Sequence, residues 1–204
     1  MSPAKVTLSP KERELVLNRD WILTKNDIIA KVYALFGDLS EIYREKLLQY
    51  PHLLTDDPGF RSPKIAKGEQ YQGLPWVMLD HPRFFSGNDH FAIRTLFWWG
   101  NEGSITLQLG GSFQQQYAAS LQQYFSETEH KNGTWWLGTG THPWEHHFEE
   151  TNYRLIATQH AYAFAEMPFI KLAKKISLEQ WDDWPAFFAA VFEEMLEMLS
   201  TGNK

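Results

Sequence analysis

Apolar and polar residues alternate without a break along 104–109. Ile105, Leu107 and Leu109 fall on one side, and Ser104, Thr106 and Gln108 on the other. A period of two is that of a half-buried β-strand. Upstream lies the aromatic run 91–99, joined to it by Gly100-Asn101-Glu102-Gly103. That link is short and bounded by glycine, as a hairpin loop should be. A third apolar run covers 75–80. The stretch 68–111 therefore reads as the centre of an antiparallel sheet.

The flanks follow a helical period. Ser9-Pro10-Lys11-Glu12 combines a capping serine, a proline at the first helical position and a glutamate that completes a capping box. This short helix is expected to end near 18–20. Thr24 with Asp27 offers a second start, and Ile28, Val32, Leu35, Leu39, Ile42 and Leu47 continue as one stripe. Gly37 sits inside that stripe, where glycine costs ~1 kcal/mol relative to alanine. The unbroken periodicity predicts one long helix that Pro51 ends. Residues 51–67 are proline-rich and aperiodic, and read as a loop crossing to the sheet. Residues 113–125 predict a helix, with Tyr117, Leu121, Tyr124 and Phe125 on its apolar face. Residues 134–138 predict a short aromatic strand. Between 153 and 176 the pattern fits helix and strand alike, and a strand is expected near 153–159. Ser177-Leu178-Glu179-Gln180 is another capping box, and Pro185 opens a last helix with Phe188, Phe192, Met195 and Leu199 as its stripe.

The fold class this predicts is α+β: one antiparallel sheet of about four to six strands, packed by N-terminal and C-terminal helices. One domain is expected over 1–204. Its parts are a helical segment at about 9–50, a sheet at about 68–160 and a C-terminal helix at about 178–200.

Composition narrows the function classes. The formal net charge is -6, which argues against nucleic acid or an anionic membrane as partner, since both favour a net basic face. The chain has no cysteine, which excludes disulfides, thiolate metal sites and cysteine nucleophiles. No run reaches the ~18 apolar residues of a membrane span, and the first twenty residues have no signal-peptide core. A soluble, cytoplasmic chain is the expectation, with a small-molecule ligand or a second copy as candidate partners. Aromatic residues make up 15% of the chain, many in adjacent pairs such as Trp98-Trp99 and Trp135-Trp136. In a strand such a pair puts one ring on each face, which suits either a two-faced core or an aromatic-lined pocket.

Two constellations carry candidate chemistry. Arg94 lies mid-strand on the side of Ala92, Leu96 and Trp98. A guanidinium there must be paired, stacked on a ring or turned to a cleft. With Trp76, Asp80 and Arg83 on a neighbouring strand, it outlines a ligand site for a small anionic or aromatic molecule. The second is His142-Pro143-Trp144-Glu145-His146-His147-Phe148-Glu149-Glu150. If Pro143 opens a helix, His142, His146 and Glu149 stack along one side as a candidate zinc or iron shell. His147 or His160 would be further ligands, and Glu145 or Glu150 a proton acceptor. If the segment is extended, His142 and His146 stand about 13 Å apart and share no metal. Small-molecule binding is the leading expectation. A metal-dependent enzyme and a protein-interaction subunit are the alternatives.

Overall fold

A computed structural model of the chain describes residues 6–53, 60, 62–127, 134–156 and 163–201. Among these, four α-helices accompany seven strands. The helices are α1 (Pro10–Leu17), α2 (Arg19–Leu47), α3 (Ser112–Glu127) and α4 (Trp184–Ser200). The strands are β1 (Lys64–Tyr71), β2 (Leu74–Ser86), β3 (Asp89–Trp98), β4 (Glu102–Gly110), β5 (Trp136–Gly138), β6 (Tyr153–Leu155) and β7 (Phe169–Ser177). They form one antiparallel sheet in the order β1-β2-β3-β4-β7-β5-β6. The class is α+β, and the sheet is larger than the expected four to six strands. Two of its strands were hidden. β1 begins inside the proline-rich stretch read as a loop, and β7 lies in the ambiguous region 153–176. Among the described residues no helix is long and apolar enough to cross a membrane.

Helices α2, α3 and α4 lie on one face of the sheet. Val77 and Leu79 of β2, Ile93 and Phe97 of β3, Ile105 and Leu107 of β4, and Leu172 of β7 are buried beneath them. α2 contributes Ile29, Val32, Phe36, Leu39, Tyr43 and Leu47. Ile28, Leu35 and Ile42, which the spacing also placed on the stripe, are only half-buried. The apolar stripe is broad, and its centre is rotated toward Phe36 and Tyr43. The Tyr43 ring stacks on Phe192 of α4 at 3.9 Å, and its hydroxyl shares a hydrogen bond of 2.9 Å with Thr95 Oγ1. On the helix face Lys174 Nζ pairs with Glu194 at 2.7 Å, with both side chains buried. The Trp135 indole N–H also donates to Glu194, at 3.0 Å.

α2 runs through Gly37 without interruption and begins at Arg19, capped by the Asn18 side chain, rather than at Thr24. A Cβ built on Gly37 meets nothing within 4 Å. Gly37→Ala is therefore expected to stabilise the protein by up to ~1 kcal/mol, read as a raised chemical denaturation midpoint. An unchanged or lowered midpoint would contradict this account of the helix.

Among the described residues no helix packs on the opposite sheet face, yet much of it is buried. Asp80, Arg94, Ser104, Thr106, Gln108 and Lys171 all belong to it by strand alternation, and all are less than 9% exposed. Residues 139–152, irregular in backbone, lie against this face.

Candidate functional site

The helix-free face is built around Arg94. β2 and β3 set Asp80 directly opposite it in register. Arg94 Nε donates to Asp80 Oδ1 at 2.7 Å, and Nη2 donates to Oδ2 at 2.9 Å. This is a bidentate fork, the strongest geometry a guanidinium and a carboxylate adopt. Nη1 donates to His146 Nε2 at 3.1 Å. Arginine has no lone pair to offer, so His146 accepts through Nε2 and carries its proton on Nδ1. The pKa of His146 lies well below the usual imidazole value. Burial is the main cause, followed by the charges of Arg94 and Lys171 and by His147. The guanidinium also lies 5.6 Å from the centre of the Trp144 ring. Arg94 is thus paired, stacked and at a cavity wall all at once.

The cavity is about 480 Å³ and lies between β1–β3 and the covering loop. Tyr71, Trp76, Met78 and Leu96 form its apolar sides, Trp144 overhangs it, and Arg94 and His146 supply its polar end. Gly68 faces Trp76 across the β1–β2 pairing, and a Cβ there would come within 2.6 Å of the indole. Only glycine lets that ring lie flat against β1. Trp144 meets Phe85 at 5.7 Å and His90 at 5.4 Å, yet remains 48% exposed. It lines the cavity from the covering loop.

The covering loop is fastened by polar contacts. The Tyr71 hydroxyl accepts from the backbone N–H groups of His146 and His147 at 2.7 and 3.0 Å. Lys171, buried on β7, donates from Nζ to the Glu145 carbonyl and to Asn152 Oδ1, both at 2.7 Å. Asn152 Nδ2 donates to the His147 carbonyl at 2.6 Å. Burial lowers the Lys171 pKa to about 8, with the Arg94 charge adding to the shift and Glu145 opposing it. As a neutral amine, Lys171 would still have a proton for each of its two acceptors. Nearby on the same face, both amide atoms of Gln108, the Trp98 indole nitrogen and His90 Nε2 are buried without a hydrogen-bond partner among the described residues. Buried polar atoms ordinarily have a protein or water partner.

Of the expected ligand residues, Trp76 and Arg94 line the cavity, and Asp80 holds Arg94 from behind. Trp98 is buried edge-on against Tyr71 at 5.0 Å, away from the wall. Arg83 lies beyond a register shift between Asp80 and Arg83, and its Nε donates to the Ser62 carbonyl at 3.2 Å. It does not converge with Arg94.

The expected metal residues are dispersed. No helix forms at Pro143: the chain makes a turn at 143–144, and from Glu145 to His147 its backbone is fastened to Tyr71 and Lys171 instead. His142 and Glu149 are exposed, whereas His146 is buried against Arg94. His147 lies 3.8 Å from Glu145 and 3.7 Å from Glu149. His160 lies outside the described residues. Among the described residues no three His, Asp or Glu side chains are grouped to hold a metal.

A larger opening of about 640 Å³ lies at the far ends of α2, α3 and α4, lined by Tyr50, Tyr124, Glu127 and Glu197 among others. It has no buried, hydrogen-bonded charge at its wall comparable to Arg94. Sequence reasoning missed Tyr71, Met78, Trp144 and Lys171 as parts of the site, whereas Leu96 was placed on the Arg94 side by alternation. Lys171 left a trace: it is the first charge in the apolar run Phe169-Ile170-Lys171-Leu172. Comparison with protein families, curated proteins and solved structures found no significant match.

Proposed function

We propose that this protein binds a small, flat, uncharged ligand in the Arg94 cavity. The observation that carries the reading is a buried, pre-organised arginine at the wall of an aromatic-sided cavity. Pockets for small molecules are mostly apolar, with a few placed polar groups. The volume of about 480 Å³ lies within the usual range. Tyr71, Trp76 and Trp144 offer ring faces for a planar group.

Charge balance selects a neutral ligand over an anion. The Arg94 charge is already matched by Asp80, and Glu69 on the rim is paired with Lys25. Three of the five guanidinium N–H groups are taken, so two remain to donate to a carbonyl or hydroxyl oxygen. A carboxylate brought here would be desolvated without a free cation to receive it. The metal-dependent reading draws no comparable support, since its ligands are dispersed.

The test uses matched probes. Benzamide is expected to bind with a Kd near the ~1 mM expected of a fragment, seen by saturation-transfer NMR. Benzoate, of equal shape, is expected to bind at least tenfold more weakly. Trp144→Ala should weaken benzamide by a similar factor without altering the fold. Should neither probe bind, or should Trp144→Ala leave both unaffected, the cavity is not the site. Tighter binding of benzoate would overturn the neutral-ligand reading while leaving the site in place.

A further inference from the structure

The N-terminal arm is an apolar surface in search of a partner. Every residue from 6 to 24 is exposed, and α1 buries none of its side chains. Two apolar triplets lie within it, Leu15-Val16-Leu17 and Trp21-Ile22-Leu23. Leu17 is 74% exposed and Trp21 48%. Side chains of this kind are ordinary when scattered, but a contiguous cluster marks an interaction surface.

The arm continues two surfaces of the body. Residues seven apart share a helix side. Ile22 therefore prolongs the buried stripe through Ile29, and Trp21 prolongs the side that carries Ile28. Ile28 in turn borders an apolar groove of about 470 Å³ with Lys31, Phe97, Trp99, Leu178 and Trp181. Arm and groove thus adjoin on one edge of the molecule, each apolar.

We infer that two copies of this chain associate through a two-fold axis, each laying its arm across the aromatic groove of the other. Reciprocal contacts between an arm and an adjoining groove close into a dimer, as two-fold symmetry requires. The charges suit a second copy. The arm carries Lys11, Arg13 and Arg19 against Glu12, Glu14 and Asp20. Balanced, interspersed signs are self-complementary, whereas an anionic lipid surface or nucleic acid calls for a basic excess. The extent suits it too. A stable interface takes about 20–30 residues a side, which the arm and the groove together supply.

The experiment uses the full chain. Sedimentation is expected to give twice the 23.8 kDa chain mass at micromolar concentration. The variant Trp21→Glu with Ile22→Glu, which replaces two exposed residues, should sediment as one chain with an unchanged far-UV spectrum. The chain has no cysteine, so introduced thiols are unique. A mixture of Leu17→Cys and Lys31→Cys chains should cross-link through a short bismaleimide into a covalent heterodimer. A single-chain mass at every concentration overturns the inference. So does association that survives the double substitution, cross-linking of Leu17→Cys chains to one another alone, or a monomer that sediments with phosphatidylcholine vesicles.

Discussion

Replacing Asp80 with alanine is expected to destabilise the protein by about 3–5 kcal/mol, the range for breaking a buried ion pair from one side. The Arg94 guanidinium has little access to water, and two of its three hydrogen bonds go to this one carboxylate. Removing Asp80 strands a charge whose remaining acceptor is a neutral imidazole. Arg94→Met alone strands the Asp80 carboxylate instead, so it too should cost several kcal/mol. The double variant is expected to recover much of the loss, because a buried pair exchanged for apolar groups of similar volume is often neutral. Urea denaturation of the wild type, both single variants and the double variant closes the cycle. An Asp80→Ala cost below ~1 kcal/mol would mean that water already reaches the guanidinium, and the pair would lose its structural role. Benzamide binding to the folded double variant should be weakened at least tenfold even where stability returns, since the guanidinium donors are gone from the polar end.

Periodicity exposed the elements whose two sides differ. Ile105, Leu107 and Leu109 alternate with Ser104, Thr106 and Gln108 because one side meets helices and the other a polar layer. α2 was legible for the same reason. Its long stripe outweighed a central glycine and correctly pointed to one helix. β1 was not legible, because it is an edge strand of mixed character with only Ile65 and Ala66 as apolar positions in its first half. β7 failed differently. Its residues are buried on both sides, so Phe169, Ile170, Leu172 and Ala173 form a run in which no period stands out. Buried runs of that length fit strand and helix equally.

The site was half legible. Arg94 announced itself as a charge in an apolar strand, and Asp80 followed from the adjacent strand. The histidine cluster was noticed for the wrong geometry: its weight lies in His146, which meets Arg94 across 52 residues of chain. No local pattern records such a meeting. It arises because Tyr71 and Lys171 pin the 139–152 loop to the sheet, and β1 and β7, which carry those two side chains, were the strands that periodicity concealed.

Acid is expected to unfold this protein well before its carboxylates are all protonated. Three histidines are buried with pKa values held below the usual 6.5, each chiefly by burial: His81, His90 and His146. A group with a depressed folded-state pKa contributes stability that is complete above its unfolded value. That contribution is lost as pH falls through the folded value. For His81 the window runs from 6.5 down to about 4. Neither of its ring nitrogens has a hydrogen-bond partner among the described residues; Glu41 nearby favours a positive charge, while burial, Arg44 and Arg83 oppose it. That shift alone corresponds to about 3 kcal/mol across the window. His146 adds to the same slope from a different place, because a proton on its Nε2 would abolish the bond from Arg94 and set two cations together. The stability measured by urea denaturation should therefore be nearly level between pH 7 and 8. Below pH 6.5 it should fall by up to ~1.4 kcal/mol per pH unit for each histidine engaged. His81→Phe should flatten the part of that fall which belongs to His81 and leave the His146 part in place. A profile that stays level down to pH 5 would show that these imidazoles titrate as they do in water, and that neither His81 beside α2 nor His146 beside Arg94 is shielded from solvent.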